Sequence, residues 1–352
     1  MTTSILGIDV GKNWFYVVGM DEKGHVTERK KFNRSGITEF IANHPLCTIA
    51  MEACASSQYW GRVFQSHGHR VKLLPAQYVV PFRRAQKNDY NDAEAIAEAA
   101  SRPTMPTVQL RTQEQVDVQA LHCARELVVG EYVRLANQIR GLLLENGVAI
   151  AKGPQALWKA LPKCLDEHTS TLTPALRALV QRLFTRWQSL EKERAELDRD
   201  IARIAKEHPF CQRLMSIPGI GPLIATALFA AVGNAAQFRT ARDLAAWIGL
   251  VPRQFSTGGK TQLFGLTKRG NHYLRKLLVH GARAVARSVG KAHDPLRALV
   301  ARISARAHVN VAVCALANKI ARIAWAVLRH ERTYDPKFRP ASASFTVASE
   351  PT

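Results

Sequence analysis

Acidic side chains are in short supply in this chain. Aspartate and glutamate together number 28 against 49 lysines and arginines, leaving a formal net charge of +21. An excess of that size points to a polyanionic partner, because each neutralised phosphate releases a condensed counterion. Nucleic acid is favoured over a lipid surface, since no amphipathic basic anchor stands out. Cysteine is sparse and scattered. Cys47, Cys54, Cys123, Cys164, Cys211 and Cys314 form no Cys-x-x-Cys pair. Zinc ribbons and redox dithiols are thereby excluded, and a reducing cytosol fits. No run is expected to be apolar for the length of a membrane span. The N-terminus enters Ser4-Ile5-Leu6-Gly7-Ile8-Asp9 without a charged segment and a long apolar stretch, so a signal peptide is not expected. What is present is a foldable chain. Of its 352 residues, 47% are hydrophobic, enough for two or three domains with a sizeable core.

The first hundred residues alternate strand and helix signals. Strands are expected at Ile5–Val10, Trp14–Met20, His25–Phe32, Cys47–Ala53 and Val71–Pro75. Helices are expected at Ser35–Ala42, with Ser35 as a candidate cap, and at Ser56–Ser66. Three hairpin-linked strands followed by helix, strand, helix and strand imply a mixed sheet flanked by helices. Beyond Asn91 the chain turns helical, with long helices expected at Asp92–Ala100 and Glu114–Asn146. Pro154 and Pro162 mark the stretch from Gly153 to Pro174 as a linker. Leu176, Val180, Leu183, Trp187, Leu190, Leu197, Ile201 and Ile204 then form a heptad-like seam, interrupted by Arg194. The seam suits either a coiled-coil partner or packing inside one subunit. Phe210–Val251 reads as compact and helical, Val251–Lys268 as an irregular Gly-rich stretch, and Asn271–Arg287 and Pro295–His330 as helices. Residues 340–352 read as a loose tail.

Four of the scarce acids stand out. Asp9 and Glu52 each interrupt an apolar strand, where an unpaired carboxylate costs several kcal/mol. Asp89 and Asp92 lie three residues apart at a helix start, a spacing that lets them share a face and a position that suits negative charge. If the first and fourth strands are neighbours, Asp9 and Glu52 lie side by side, and the helix can lay Asp89 and Asp92 over them. Such an oxygen cluster would hold Mg²⁺ or Mn²⁺ for phosphoryl transfer. Taken singly, Asp89 and Asp92 read as capping acids and Glu52 as a salt-bridged core residue. Asp9 within Gly7-Ile8-Asp9-Val10-Gly11-Lys12 also resembles the first phosphate loop of actin-like sugar kinases, but no second such loop follows.

Ser216-Ile217-Pro218-Gly219-Ile220-Gly221-Pro222 is similar to a helix–hairpin–helix turn, in which Gly219 and Gly221 would admit phosphates to backbone N–H groups. Further on, Gly259-Lys260-Thr261 imitates the tail of a Walker A loop, but Gln254 stands where that motif needs glycine. What remains is a hydroxyl, Ser256, beside many cations. Between Pro252 and Arg306 lie Arg253, Lys260, Lys268, Arg269, Arg275, Lys276, Arg283, Arg287, Lys291, Arg297, Arg302 and Arg306, against the single acid Asp294.

Asp9 in GIDVGK, Glu52 in MEAC, and Asp89 and Asp92 in KNDYNDAEAI resemble the four acids of the DEDD insertion-sequence transposases. The segment Ile217–Leu278, with IPGIGP, AAWIGLVPRQ, STGGK and LTKRGNHYLRKLL, resembles the C-terminal domain of the same family. The resemblance runs from Ile5 to Arg329. It implies an α/β plus all-α fold: a RuvC-like, ribonuclease-H-type domain over residues 1–152, a linker and coiled-coil helices over 153–210, a helical transposase domain over 211–335, and a flexible tail over 336–352. It implies a Mg²⁺-dependent recombinase of a mobile element, in which Asp9, Glu52, Asp89 and Asp92 hold the metal and Ser256 attacks a DNA phosphate, with Thr257 a one-residue ambiguity. Arg253, Lys260, Lys268, Arg269, Arg275 and Lys276, with Gly219 and Gly221, would bind nucleic acid. The expected partners are double-stranded DNA and a structured bridge RNA, with a homodimer or homotetramer, no membrane, and a place at the nucleoid of the bacterial cytoplasm. The rivals are a RuvC-like junction endonuclease that uses water alone, and a non-catalytic nucleic-acid binder.

Overall fold

A computed structural model describes residues 2–84, 88–166, 171–288 and 294–337. Lys291 and nearly all of the tail lie outside the described residues. The chain divides into two compact units, Met1–Gln113 and Glu114–Thr352.

The first unit is built on a five-stranded sheet in the order β3-β2-β1-β4-β5. The strands are β1 (Ile5–Val10), β2 (Trp14–Met20), β3 (Val26–Asn33), β4 (Thr48–Glu52) and β5 (Arg70–Leu74). β1 pairs antiparallel with β2 and parallel with β4, so the first and fourth strands are neighbours, as expected. This mixed sheet is consistent with a ribonuclease-H-type domain. Alternation along the strands separates two layers. Leu6, Ile8, Ile49 and Met51 face α1 (Arg34–Asn43) and α2 (Ser57–Ser66), where Ile37, Ile41, Trp60 and Phe64 complete the core. The cap of α1 is Asn33 rather than Ser35: its side chain accepts the Gly36 N–H at 2.8 Å, while Ser35 lies inside the helix. After the short α3 (Ala76–Val79), α4 (Asp89–Ser101) covers the opposite face through Ala95, Ile96, Ala99 and Ala100 against Ala50 and Leu74.

The approach of α4 to the sheet depends on one small residue. A Cβ placed on Gly7 would lie 2.2 Å from the Ala93 carbonyl oxygen and 2.6 Å from the Ala97 nitrogen. Only glycine lets the alanine-rich helix lie this close to β1.

The second unit begins with α5 (Gln113–Leu144), α6 (Pro154–Leu165) and α7 (Pro174–Glu207). The stretch expected to be a linker thus contains α6, whose Leu157 and Leu161 are fully buried. The heptad seam of α7 is turned inward along much of its length. Val180, Phe184 and Trp187 pack with Ala136, Ile139 and Leu143 of α5. Tyr132 stacks on Trp187 at 4.8 Å and Arg125 meets Asp198 at 2.6 Å, so the two helices run antiparallel within one chain. Val180 and Trp187 of the seam, with Phe184 beside them, are therefore covered within the chain. The interrupting Arg194 is held by Glu191 and Asp198.

The rest of the unit packs α8 (Pro209–Met215), α9 (Pro222–Val232), α10 (Ala241–Ile248), α11 (His272–Ala286), α12 (Pro295–Ser304) and α13 (Val309–Arg329) around one large core. α13 corrects the expectation about apolar runs: it is long and apolar enough to cross a membrane by composition, with a mean hydropathy of 1.6. Its apolar residues, including Leu316, Ile320, Ala324 and Leu328, fill the core instead. The Gly-rich stretch before α11 is a second departure. It is an antiparallel ribbon of β6 (Pro252–Thr257) and β7 (Lys260–Leu266), not an irregular loop. Gly258 and Gly259, with φ of 52° and 74°, form its two-residue turn, the geometry that suits strand twist and favours glycine.

Candidate active site and nucleic-acid interface

Strand alternation decides where the acids go. Gly7 faces α4, so Asp9, two residues on, lies on the same side of the sheet. Ala50 packs under α4, so Glu52 does too. Gly7 pairs with Ala50 and Ile8 with Met51, and extending that parallel register by one residue sets Asp9 level with Glu52. Asp92 lies in the first turn of α4, one residue before the Ala93 carbonyl that sits on Gly7. Asp92 is buried and Asp89 is exposed. Neither caps the helix; Asn88 does, its side chain accepting the Tyr90 N–H at 2.9 Å.

Three of the acids act on the fourth, Asp9. The Asp9 carboxyl is pushed up from 3.8 to about 6, first by burial and then by the charges of Asp92, Asp89 and Glu52. Arg83 opposes the rise. Its Nη2 lies 3.1 Å from Glu52 Oε2 and its Nε 3.1 Å from Asp92 Oδ1. The guanidinium therefore sits between two of the four acids. Among the described residues, no group of three or more His, Cys, Asp or Glu side chains is placed to hold a metal ion. The expected ready-made ligand cluster is thus not formed among the described residues, and Arg83 is paired with two of its members. The donor chemistry still fits a hard divalent cation: four carboxylates, with the Asp9 carboxyl raised by burial and by the other three. Arg83 was missed at the level of sequence, although PFRRAQKNDYND places it six residues before Asp89. Glu94, also missed, is a second buried acid on α4, paired with Arg29 at 2.6 Å and Arg84 at 3.1 Å.

In the second unit, Ser256 lies on β6, opposite Thr261. Its hydroxyl accepts from Gln254 Nε2 at 2.7 Å and lies 3.3 Å from Thr261 Oγ1. Thr257, the adjacent candidate, points to the other face of the ribbon with Lys260. Both strands are exposed almost throughout. The expected phosphate-binding residues differ in their freedom. Arg253, Lys260, Lys268 and Arg269 are exposed. Arg275 is buried, and its Nη1 donates to the Ile248 carbonyl at 2.8 Å and to the Arg269 carbonyl at 3.3 Å. It closes the end of α10. Lys276 is paired with Glu126 and lies 5.2 Å from the Tyr273 ring centroid.

The two glycines of the expected hairpin turn also part company. Gly219 has φ of 90°, and a Cβ there would lie 2.9 Å from the Gly281 carbonyl oxygen, so it serves packing against α11. Gly221 is exposed at the start of α9, with open space where its Cβ would be.

Sequence comparison adds independent findings. Residues 6–146 match a transposase family model of the DEDD type, and residues 211–297 match the family described as Transposase IS116/IS110/IS902. A protein of Pseudomonas aeruginosa named as a probable family 20 transposase is 42% identical over 96% of this chain and 100% of its own. The transposase for insertion sequence element IS1111A of Coxiella burnetii is 41% identical over 94% of this chain and 91% of its own. The transposase for insertion sequence element IS1328 of Yersinia enterocolitica is 41% identical over 92% of this chain and 96% of its own.

Proposed function

This chain belongs to the IS116/IS110/IS902 family of insertion-sequence transposases, DNA-recombining enzymes, and on that premise we propose that it cuts and rejoins DNA through an acidic site in its first unit and Ser256 in its second. The observation that supports the reading is the set of charges around Asp9: Asp92, Asp89 and Glu52, from a helix and a neighbouring strand, add to the burial that raises its carboxyl to about 6.

Asp9, Glu52, Asp89 and Asp92 would hold Mg²⁺, or Mn²⁺ in its place. A divalent ion there supplies Lewis-acid stabilisation of charge on phosphate oxygens. The protein's own contribution is to collect the oxygens and to balance them with Arg83 until the ion arrives. In the second unit, Ser256 Oγ forms a bond to phosphorus while the bond from phosphorus to one deoxyribose oxygen breaks, and the hydroxyl proton leaves toward that oxygen or solvent. The covalent step conserves the phosphodiester energy for rejoining. The hydrogen bond from Gln254 orients the hydroxyl, while Arg253 and Lys260, on the other face of the ribbon, would hold flanking phosphates. The family resemblance and the charge of +21 support a structured RNA as second polyanion and work at the nucleoid of the bacterial cytoplasm. A strand exchange needs more than one protomer, so a homodimer or homotetramer belongs to the same proposal.

Replacing Ser256 by Ala should abolish a denaturation-resistant protein–DNA adduct, and Asp9→Asn should abolish metal-dependent cleavage. An adduct unchanged in Ser256→Ala removes Ser256 from the chemistry. One observation favours a second reading: Gln254 and Thr261, the hydrogen-bond partners of Ser256, are not bases. Hydrolysis by the acidic site alone would give free DNA ends and no adduct.

A further inference from the structure

The β6–β7 ribbon has two faces of different chemistry. Gln254, Ser256, Thr261 and Leu263 share one, by cross-strand pairing. Phe255, Thr257, Lys260 and Gln262 share the other, and strand alternation adds Phe264 to them. The Arg253 guanidinium lies 5.2 Å from the Phe264 ring centroid. This second face is therefore aromatic and cationic. Phe255 is 62% exposed and Phe264 45%, in a chain with only 7% aromatic residues. The ribbon is rooted at its base, where Leu266 and Val251 pack against the core and the Thr267 N–H meets the Val251 carbonyl at 2.9 Å. Beyond that base, its rings contribute little to packing.

Their surroundings say what they suit. No acid occurs between Pro252 and His293, so a polyanion meets no fixed negative charge in the local sequence. The same face of a second copy would bring the same local positive charge, so two ribbons would repel one another across it. Exposed rings flanked by Arg and Lys hold unstacked bases, since every base offers a π-face while the cations follow the backbone.

We propose that the Phe255 and Phe264 face stacks unpaired bases of DNA, so that the ribbon acts as a wedge between opened strands, with its hydroxyl face toward the other strand. The inference rests on the transposase reading for the identity of the polymer, but it does not require Ser256 to be the nucleophile.

The test uses the full chain and 2-aminopurine placed in a short unpaired bulge of a DNA duplex, with an intact duplex of matched sequence as reference. Binding by the unaltered protein and by Ser256→Ala should quench the 2-aminopurine. The double variant Phe255→Ala with Phe264→Ala should lose the quenching and bind bulged DNA about ten-fold or more weakly. Its affinity for intact duplex should change less than about twofold, and Phe255→Trp with Phe264→Trp should restore the quenching. Quenching that persists in the alanine variant, equal losses on both DNAs, or an altered sedimentation of the DNA-free alanine variant would each overturn the wedge. An adduct surviving Ser256→Ala, with quenching lost only in the phenylalanine variant, would overturn the nucleophile and support the wedge.

Discussion

The two units handle charge in opposite ways. The first gathers scarce carboxylates onto the α4 face of its sheet and balances them with arginines: Arg83 on Glu52 and Asp92, Arg29 and Arg84 on Glu94. The second keeps a buried histidine neutral. His122 lies between Thr226 Oγ1 at 3.0 Å and Tyr273 Oη at 2.9 Å. The Thr226 hydroxyl already donates to the Pro222 carbonyl at 2.8 Å, so the imidazole donates from Nε2 and accepts at Nδ1. Burial first, and Arg125 second, lower its pKa to about 4. The first unit concentrates negative charge around Asp9, and the Asp9 carboxyl is raised by burial and by that charge. In the second unit the buried imidazole stays uncharged, and the buried Arg275 is satisfied by two backbone carbonyls.

The sharpest way to break the comparison is to separate the acids without touching them. Gly7→Val drives a side chain into the Ala93 carbonyl of α4, where backbone cannot yield. We expect a loss of about 3 kcal/mol in the first unit and loss of metal-dependent stabilisation. Thermal unfolding with and without Mg²⁺ reads both, and an unchanged melt would show that α4 does not depend on Gly7.

Acid should weaken the second unit. The His122 pKa is lowered from 6.5 to about 4, so the unfolded chain takes up a proton in this window that the folded one does not. The stability is present above pH 6.5 and is lost as pH falls toward 4, by about 3 kcal/mol. His122→Gln should flatten that dependence in denaturant titrations. A slope unchanged in the variant would assign it elsewhere.

Arg275→Ala leaves the Ile248 and Arg269 carbonyls without their guanidinium partner. The expected loss is about 2 kcal/mol, with duplex-DNA affinity altered no more than stability requires. Arg253→Ala should do the reverse, weakening DNA and leaving the melt unchanged. Paired melting and binding curves distinguish the two.

The smallest effect has the opposite sign to the rest. The raised Asp9 pKa means that the folded chain holds a proton more tightly than the unfolded chain between about 3.8 and 6. Stability therefore falls as pH rises through that window. Asp9→Asn should stabilise the metal-free protein at neutral pH by about 1 kcal/mol, after discounting for solvent screening, and should do nothing at pH 3.5. A destabilised Asp9→Asn would mean that the carboxylate is held by partners rather than strained.

Much of this was legible from residue order. β1 and β2 fall where their apolar runs predict, because a strand buried on one or both faces writes its period into the sequence. The acids were legible because a carboxylate inside such a run needs a reason. The ribbon was not: Gly258, Gly259 and Gly265 read as an irregular stretch, whereas two of them form a tight turn and the exposed strands carry no core pattern to betray them. The heptad seam of α7 was legible as a seam but not as to its partner, since one helix carries no record of what covers it.

Sequence alone determined the number and kind of chemical groups: four carboxylates in strand and helix-start contexts, a hydroxyl beside cations, and a charge of +21. Tertiary structure decided which of them are free. It placed Arg83 among the acids, buried Arg275 against two carbonyls, tied Lys276 to Glu126 and left Arg253 and Lys260 in solvent. The reason is that charge is a property of a residue, but its availability depends on neighbours that arrive from distant parts of the chain.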